Sequence, residues 1–310
     1  MSVQTLSRAV QLESFGGPEV LSLREVAAPQ AGPGQIRVRV TAAGLNPMDW
    51  FMTSDAETAA RFGLSTPCGF GTDYAGVVDQ VGAGVTAFAA GDRVFGGAMS
   101  RAVADYVVID VAGTIAVGGD AHRTPDGVDD RTAATLAIAG CTAAAALAVV
   151  KPGPDDTLLV GGAGGGVGVF VVQLARLAGA RVIGTGSATS ANALRALGAE
   201  PVVYGDGLAD RLQAAGVTSA IDLHGTETAQ VALQLGVPAG RITTIAAQVD
   251  GITPANGANA APGAIEEIAG LVAAGRLRVP ITANFPVEQI RAAVELQAGR
   301  HVHGKVVIDL

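Results

Sequence analysis

The sequence predicts an α/β protein in which a β-rich domain is followed by a doubly wound parallel-sheet domain. Three observations predict it. Residues 8–110 carry short runs of alternating apolar and polar residues broken by glycine turns, the pattern of half-buried strands. From about residue 129 the rhythm changes to strand and helix in alternation, which implies a parallel sheet with right-handed crossovers. Within that second region the run Leu158-Leu159-Val160-Gly161-Gly162-Ala163-Gly164-Gly165-Gly166-Val167-Gly168-Val169-Phe170 passes from an apolar strand through a glycine turn straight into a helix.

In chain order, strands are expected at 8–13, 21–26 and 35–42, separated by the turns Gly16-Gly17-Pro18 and Gly32-Pro33-Gly34. Strands at 75–81, 93–95 and 104–110, with turns at Gly82-Ala83-Gly84 and Gly91-Asp92, complete a compact, partly barrel-like β domain. The uncharged stretch 132–150 is mostly alanine, which contributes little to membrane insertion, so a buried helix is expected there. Strands follow at 157–160, 181–185, 201–204, 219–223 and 241–246, with helices at 167–177, 190–197, 208–214 and 227–235. After a helix at 264–274, strand-like segments at 280–285 and 305–308 flank a helix at 287–296. This tail leaves the alternating rhythm and is expected to fold back onto the first domain. The domains are accordingly placed at 1–123, completed by 279–310, and at 124–278.

The glycine turn carries the first chemical signal. Glycine tolerates positive φ and has no Cβ, so main-chain N–H groups and a helix N-terminus can approach a pyrophosphate. The spacing is Gly162-x-x-Gly165-x-x-Gly168 with Ala163-x-Gly165-x-x-Gly168 laid over it, a departure from G-x-G-x-x-G. Its context supplies what the pattern lacks: an amphipathic helix follows (Val169, Val172, Leu174, Leu177), then Gly179-Ala180 and a second strand, one βαβ unit. The alternative, a flexible glycine linker, is disfavoured because apolar periodic segments flank the turn tightly on both sides.

Composition narrows the function classes. Only 15% of residues are charged and the net charge is −8, which argues against a nucleic-acid surface. Lysine occurs only at Lys151 and Lys305. The N-terminal residues lack a basic stretch followed by an apolar core, so a cytoplasmic protein without a membrane segment is expected. Two cysteines, Cys68 and Cys141, are too few for a disulfide framework.

A series of ordered markers carries a resemblance across nearly the whole chain. They are Gly16-Gly17-Pro18-Glu19-Val20-Leu21, Ala43-Gly44-Leu45-Asn46-Pro47-Met48-Asp49-Trp50, Gly71-Thr72-Asp73-Tyr74-Ala75-Gly76-Val77-Val78 and Gly91-Asp92-Arg93-Val94-Phe95-Gly96, then the glycine turn, then Gly198-Ala199-Glu200 with the closing Gly304-Lys305-Val306-Val307. Together they resemble the zinc-free quinone oxidoreductase-like branch of the medium-chain dehydrogenase/reductase superfamily. The resemblance implies a GroES-like catalytic β domain, a Rossmann domain and a nicotinamide dinucleotide held between them. It places Gly162, Ala163, Gly165, Gly166, Val167, Gly168, Thr185, Gly186, Ser187, Arg195, Ile245, Ala246 and Lys305 at the cofactor, and Trp50, Phe51 and Tyr74 at the substrate pocket, beside apolar loops at 50–62 and 99–103.

Zinc-dependent relatives carry a cysteine where this chain has Asn46, a histidine where it has Thr72, and a further cysteine where it has Ile138. An amide, a hydroxyl and an aliphatic chain are not usual zinc ligands, so no metal is expected. Cys141 is offset from that last position and reads as a small apolar residue. His301-x-His303 has a spacing that suits metal ligation on a strand face, with a surface pair the favoured reading.

An NAD-specific site places a carboxylate at the end of the second strand of the parallel sheet to accept the ribose hydroxyls. This chain has Thr185-Gly186-Ser187-Ala188-Thr189-Ser190 there, which favours NADP(H). Arg195 adds charge to that site or is a solvated helix residue. Phe51 stands where family members often have a tyrosine, residues 118–123 are an insertion, and Pro254 and Gly257 weaken the segment 252–260 that relatives use as a sixth, dimer-pairing strand. A homodimer is expected to be weak.

The expected function is reduction of an activated C=C bond in a quinone, enone or similar conjugated carbonyl, with an enoyl-type tailoring reductase and a non-catalytic NADPH-binding sensor as alternatives. The resemblance directs Asn46 and Thr142 toward the nicotinamide, Asn46 as the donor to the developing oxyanion. An equal alternative is that Asn46 caps the turn it makes with Pro47.

Overall fold

The computed structural model describes residues 6–299 and 302–310 and divides into two units. The first comprises the chain up to residue 138 and from residue 281 onward; the second comprises residues 139–280.

The first unit opens with β1 (Leu6–Leu12), β2 (Ser22–Ala27) and β3 (Gln35–Leu45). In β3, Ile36, Val38 and Val40 are buried while Arg39 is exposed, the period-two alternation that the sequence shows. Two short helices come next, α1 (Pro47–Met52) and α2 (Ala56–Arg61), where loops were expected. Their start signals are local: Asn46 holds the N-cap position of α1, its N–H donating to Asp49 with Pro47 in the first turn, and the Asp55 carboxylate accepts the Thr58 N–H at 2.8 Å to cap α2. The strands β4 (Cys68–Gly69), β5 (Asp73–Val81), β6 (Arg93–Gly97), β7 (Tyr106–Asp110) and β8 (His122–Arg123) follow, then α3 (Asp130–Ala133).

The break between units falls after residue 138, not after residue 123. Residues 124–138 stay with the β unit because α3 packs on β3 and β5; the approach is so close that a Cβ on Gly44 would lie 2.0 Å from the Ala134 carbonyl oxygen. The 118–123 insertion is not slack connection. It contributes to β8, which closes the sheet edge against β6, and the Asp120 carboxylate accepts the Gly97 N–H at 2.6 Å.

The second unit is a parallel sheet with helices between its strands. It contains α4 (Ala137–Val150, which begins just before the break), β9 (Thr157–Gly161), α5 (Gly168–Leu177), β10 (Arg181–Gly186), α6 (Ala191–Ala196), β11 (Glu200–Val203) and α7 (Leu208–Leu212). It continues through β12 (Ser219–Asp222), α8 (Glu227–Gln234), β13 (Ile242–Thr244), β14 (Thr253–Pro254) and α9 (Ala264–Ala273). The spatial order is β11-β10-β9-β12-β13-β14, every pair parallel. Chain direction across the sheet reverses at β9, so the crevice beyond its C-terminal end is the topological switch point. At the far edge β14 is two exposed residues long, in keeping with the proline and glycine of that segment. Among the described residues no helix is long and apolar enough to cross a membrane.

The chain then returns to the first unit as β15 (Ile281–Pro286), α10 (Ile290–Ala298) and β16 (Lys305–Asp309). β16 runs antiparallel to β3, with Val306 opposite Leu45 and Val307 opposite Gly44, and β15 adds parallel to β16. The first unit's sheets are β2-β1-β4 and β15-β16-β3-β5-β6-β8, with β7 also paired to β3. The register of β16 brings Lys305 beside the end of β3, where Asn46 begins α1.

Candidate functional site

The glycine turn lies at the switch point, and Gly162 and Gly168 each have a steric reason. Gly162 has φ +69°, and its N–H donates to the Thr185 Oγ1 at 3.2 Å, tying the turn to β10. A Cβ on Gly168 would lie 2.4 Å from the Gly162 carbonyl oxygen and 2.5 Å from that of Ala163. Ala163 is fully buried, and a Cβ on Gly184 would meet its methyl at 2.7 Å. The Gly165 N–H closes the turn on the Gly162 carbonyl at 3.0 Å, leaving half-buried Gly166 and Val167 to lead into α5. The N–H groups of Val169 and Phe170 already donate to the Gly165 and Val167 carbonyls at 3.1 Å, whereas those of Gly166, Val167 and Gly168 have no main-chain partner among the described residues, and the helix dipole adds positive potential there. The turn can thus hold a pyrophosphate through main-chain donors.

Beside it, β10 ends in Thr185 and Gly186, followed by Ser187, with no carboxylate from 185 to 190. Ser187 Oγ accepts the Ser190 N–H at 3.3 Å and lies 2.9 Å from Thr189 Oγ1. Arg195 is exposed on α6 and hydrogen-bonds Asn192 of its own helix at 3.1 Å. Ile245 and exposed Ala246 follow β13, the Ile245 N–H donating to the Asp222 carbonyl at 3.1 Å. Asp222 itself was missed by sequence reasoning. Its buried carboxylate gathers the N–H groups of His224, Gly225, Thr228 and Ala229 and shapes the turn from β12 into α8. An aspartate at a strand end before Gly-Thr was the available signal.

The second constellation is a buried polar cluster in the first unit. Asn46 is 3% exposed; its Nδ2 donates to Asp73 Oδ2 at 2.9 Å and its Oδ1 accepts from the Lys305 ammonium at 2.6 Å. Asp73 and Lys305 are 0% and 2% exposed, and the ammonium lies 3.7 Å from Asp73 Oδ2. The other Asp73 oxygen accepts the Ile138 N–H at 3.0 Å. Asp49, at 1% exposure, accepts the Asn46 N–H at 2.8 Å and the Thr72 hydroxyl at 2.7 Å. Asn46 stands at the start of α1, while its carboxamide is held by side chains from β5 and β16. Lys305, expected at the cofactor, places its ammonium on Asn46 and Asp73. Asp49 and Asp73 were not singled out in the sequence; their signals were the place three residues after a capping Asn and adjacency to Thr72.

Two carboxylates and one ammonium removed from water set the local electrostatics. Burial, opposed by the hydrogen bonds from Thr72 and Asn46, pushes the Asp49 carboxyl up to about 7. Burial also raises Asp73, against the pull of Lys305, and lowers Lys305, against the pull of both carboxylates. Burial thus favours the neutral form of both carboxyls, with Lys305 and the hydrogen bonds opposing it.

Thr142 is half-buried on α4, where a Cβ on Gly257 would lie 2.8 Å from its Oγ1. Trp50 is half-buried against the core formed by Leu45, Phe70 and Ile290, and its indole N–H has no partner among the described residues. Phe51 is 48% exposed and meets the Phe62 ring edge-on at a centroid distance of 6.4 Å. Tyr74 does not line an open pocket: it is fully buried and its hydroxyl donates to the Asp120 carbonyl at 2.7 Å. Cys141 is half-buried. His303 is exposed, and its proposed metal partner His301 lies outside the described residues.

The donor chemistry of the cluster does not suit zinc. Asn46 and Thr72 contribute an amide and a hydroxyl, Ile138 an aliphatic side chain, and an ammonium stands against the amide oxygen. Among the described residues no three His, Cys, Asp or Glu side chains are grouped as a metal site.

Residues 32–121 match the alcohol dehydrogenase GroES-like domain, and residues 197–308 match a domain described as zinc-binding dehydrogenase. Human quinone oxidoreductase is 37% identical over 187 residues, 59% of this chain and 53% of that protein. The match thus spans about half the length of such curated relatives. The pikromycin polyketide synthase component PikAII of Streptomyces venezuelae is 43% identical over 178 residues, 56% of this chain and 4% of that protein. The structure of the quinone oxidoreductase from Coxiella burnetii superposes with a TM-score of 0.79 at 25% identity, covering 99% of this chain and all of that one.

Proposed function

We propose that this chain, which belongs to the medium-chain dehydrogenase/reductase superfamily and resembles its quinone oxidoreductases, is a zinc-independent, NADPH-dependent reductase of quinones or enones. The observation that carries the reading is the filling of the three metal-ligand positions. Asn46, Thr72 and the Ile138 N–H all reach two buried carboxylates, an arrangement of hydrogen-bond donors in place of a Lewis acid.

The glycine turn and the α5 N-terminus fit the pyrophosphate, and the carboxylate-free end of β10 accommodates a 2′-phosphate. A bound NADPH would supply the hydride. Asn46 offers the remaining Nδ2 hydrogen to the carbonyl oxygen of the substrate, stabilising the negative charge that develops there without itself titrating. Phe51 cannot supply a proton, so the α carbon takes its proton from solvent. Thr142 orients the ring or the substrate through its hydroxyl.

A second reading, an enoyl-type tailoring reductase of a biosynthetic pathway, draws support from the 43% identity to a polyketide synthase component. Steady-state NADPH oxidation over a panel of quinones, enones and enoyl thioesters separates the two, with quinone or enone turnover expected after exhaustive chelation. Turnover confined to enoyl thioesters favours the second reading, binding without turnover identifies a sensor, and activity restored only by zinc overturns metal independence.

A further inference from the structure

We infer that Lys305 is a positioning residue which, with Asp73, locks the Asn46 carboxamide in one orientation and thereby aims its second N–H as the donor. The inference rests on the oxyanion role assigned to Asn46 above.

A primary carboxamide is nearly symmetric in shape, so turning it by 180° exchanges donor and acceptor with little steric consequence. Asn46 sits between unlike neighbours. The Lys305 ammonium has only donors to offer and lies 2.6 Å from Oδ1; the Asp73 carboxylate faces Nδ2 at 2.9 Å. Reversal would set the NH2 against the ammonium and the carbonyl oxygen against the carboxylate, two repulsive contacts in a site closed to water.

The flanking groups are themselves fixed. Asp73 is held by the Ile138 N–H at 3.0 Å, and the antiparallel register of β16 on β3 sets Lys305 next to Asn46. On the other side Asp49 holds the Asn46 backbone N–H at 2.8 Å, so only the carboxamide torsion is left for Lys305 and Asp73 to decide. Among the described residues Nδ2 makes one hydrogen bond, to Asp73, which leaves its second hydrogen for substrate.

The test uses the full chain labelled at asparagine nitrogen, with the Asn46 side-chain resonance identified by its loss in Asn46→Ala. In the parent protein that NH2 should be protected from hydrogen exchange. Lys305→Met should abolish the protection and lower kcat at least about tenfold, the scale of a misdirected oxyanion donor, with KM for NADPH within about threefold. Added to Asn46→Ala, Lys305→Met should lower kcat no further, because it acts through the missing group. Multiplicative losses, or an Asn46 resonance indifferent to Lys305→Met, would overturn the inference. If Asn46→Ala keeps full kcat while the resonance still responds to Lys305→Met, the lock stands and the oxyanion role of Asn46 falls. Should Lys305→Met fail to fold because Asp73 is left without its cation, Lys305→Met with Asp73→Asn removes both charges; unchanged protection and kcat in that pair overturn the lock.

Discussion

The glycine turn of the second unit and the polar cluster of the first solve the same problem, presenting hydrogen-bond donors to a ligand, by opposite means. The turn uses main-chain N–H groups and is made by contiguous residues, 161–168, whose side chains are mostly absent. The cluster uses side chains whose partners stand 27 and 259 residues apart, and it carries two buried carboxylates and one ammonium. A backbone site is specified by the space it leaves and is indifferent to pH; a side-chain site is specified by charge balance and is not.

The largest effect that can break this contrast is steric. Gly168→Val places a branched side chain where even a Cβ would stand 2.4 Å from one carbonyl oxygen and 2.5 Å from another. Overpacking of this kind costs about 1–3 kcal/mol or more, and here the distortion falls on the N–H groups that would hold the pyrophosphate. NADPH affinity, read by fluorescence titration, should fall at least about 100-fold. An unchanged dissociation constant in a folded variant would mean that the pyrophosphate does not sit on this turn.

The same contrast explains what could be read in the sequence. Gly162, Gly165 and Gly168 follow a strand and lead into a helix within one βαβ unit, so their spacing and context were visible together, and a parallel sheet was expected from the alternation of strands and helices. For the polar cluster, the sequence shows Asn46 and Lys305 separately, and only the pairing of β16 with β3 makes them neighbours. Tyr74 was misjudged for the same reason: the group that takes its hydroxyl is the carbonyl of Asp120, in an insertion with no sequence signal of its own. The helices α1 and α2 were read as loops because they are too short for periodicity to show; the local signals for them were Asn46-Pro47 and Asp55.

The charge side of the contrast is sharpened by pH. Asp49 titrates near 7 in the folded chain, mainly because of burial, against about 3.9 when unfolded. A raised folded-state value means that the native state binds the proton more tightly. The associated stability is fully present below about pH 4 and is lost as pH rises through about 7, at a slope of at most about 1.4 kcal/mol per pH unit. Asp49→Asn keeps an acceptor for the Asn46 N–H and removes the titration. Denaturant midpoints from pH 5 to 8 should therefore fall more steeply for the parent than for Asp49→Asn. Parallel curves would show that Asp49 is ionised throughout, its charge neutralised by Lys305.

The smallest expected effect tests whether the end of β10 reads the cofactor by charge, the one place where the backbone site borrows side-chain chemistry. Ser187 Oγ accepts the Ser190 N–H, a capping role that an aspartate performs equally well, so Ser187→Asp should leave the turn and its stability intact. What changes is the field. A carboxylate at this position repels a 2′-phosphate and offers acceptors to ribose hydroxyls. The site is partly open to solvent, so the repulsion is screened and is worth about 1 kcal/mol rather than the several that a buried pair would give. NADPH affinity should fall about fivefold to tenfold while NADH affinity holds or improves, and the NADPH loss should shrink as salt is raised. Equal losses for the two cofactors would point to a damaged turn. An unchanged preference would place the 2′-phosphate away from Ser187, and the absence of a carboxylate from 185 to 190 would then say nothing about cofactor choice.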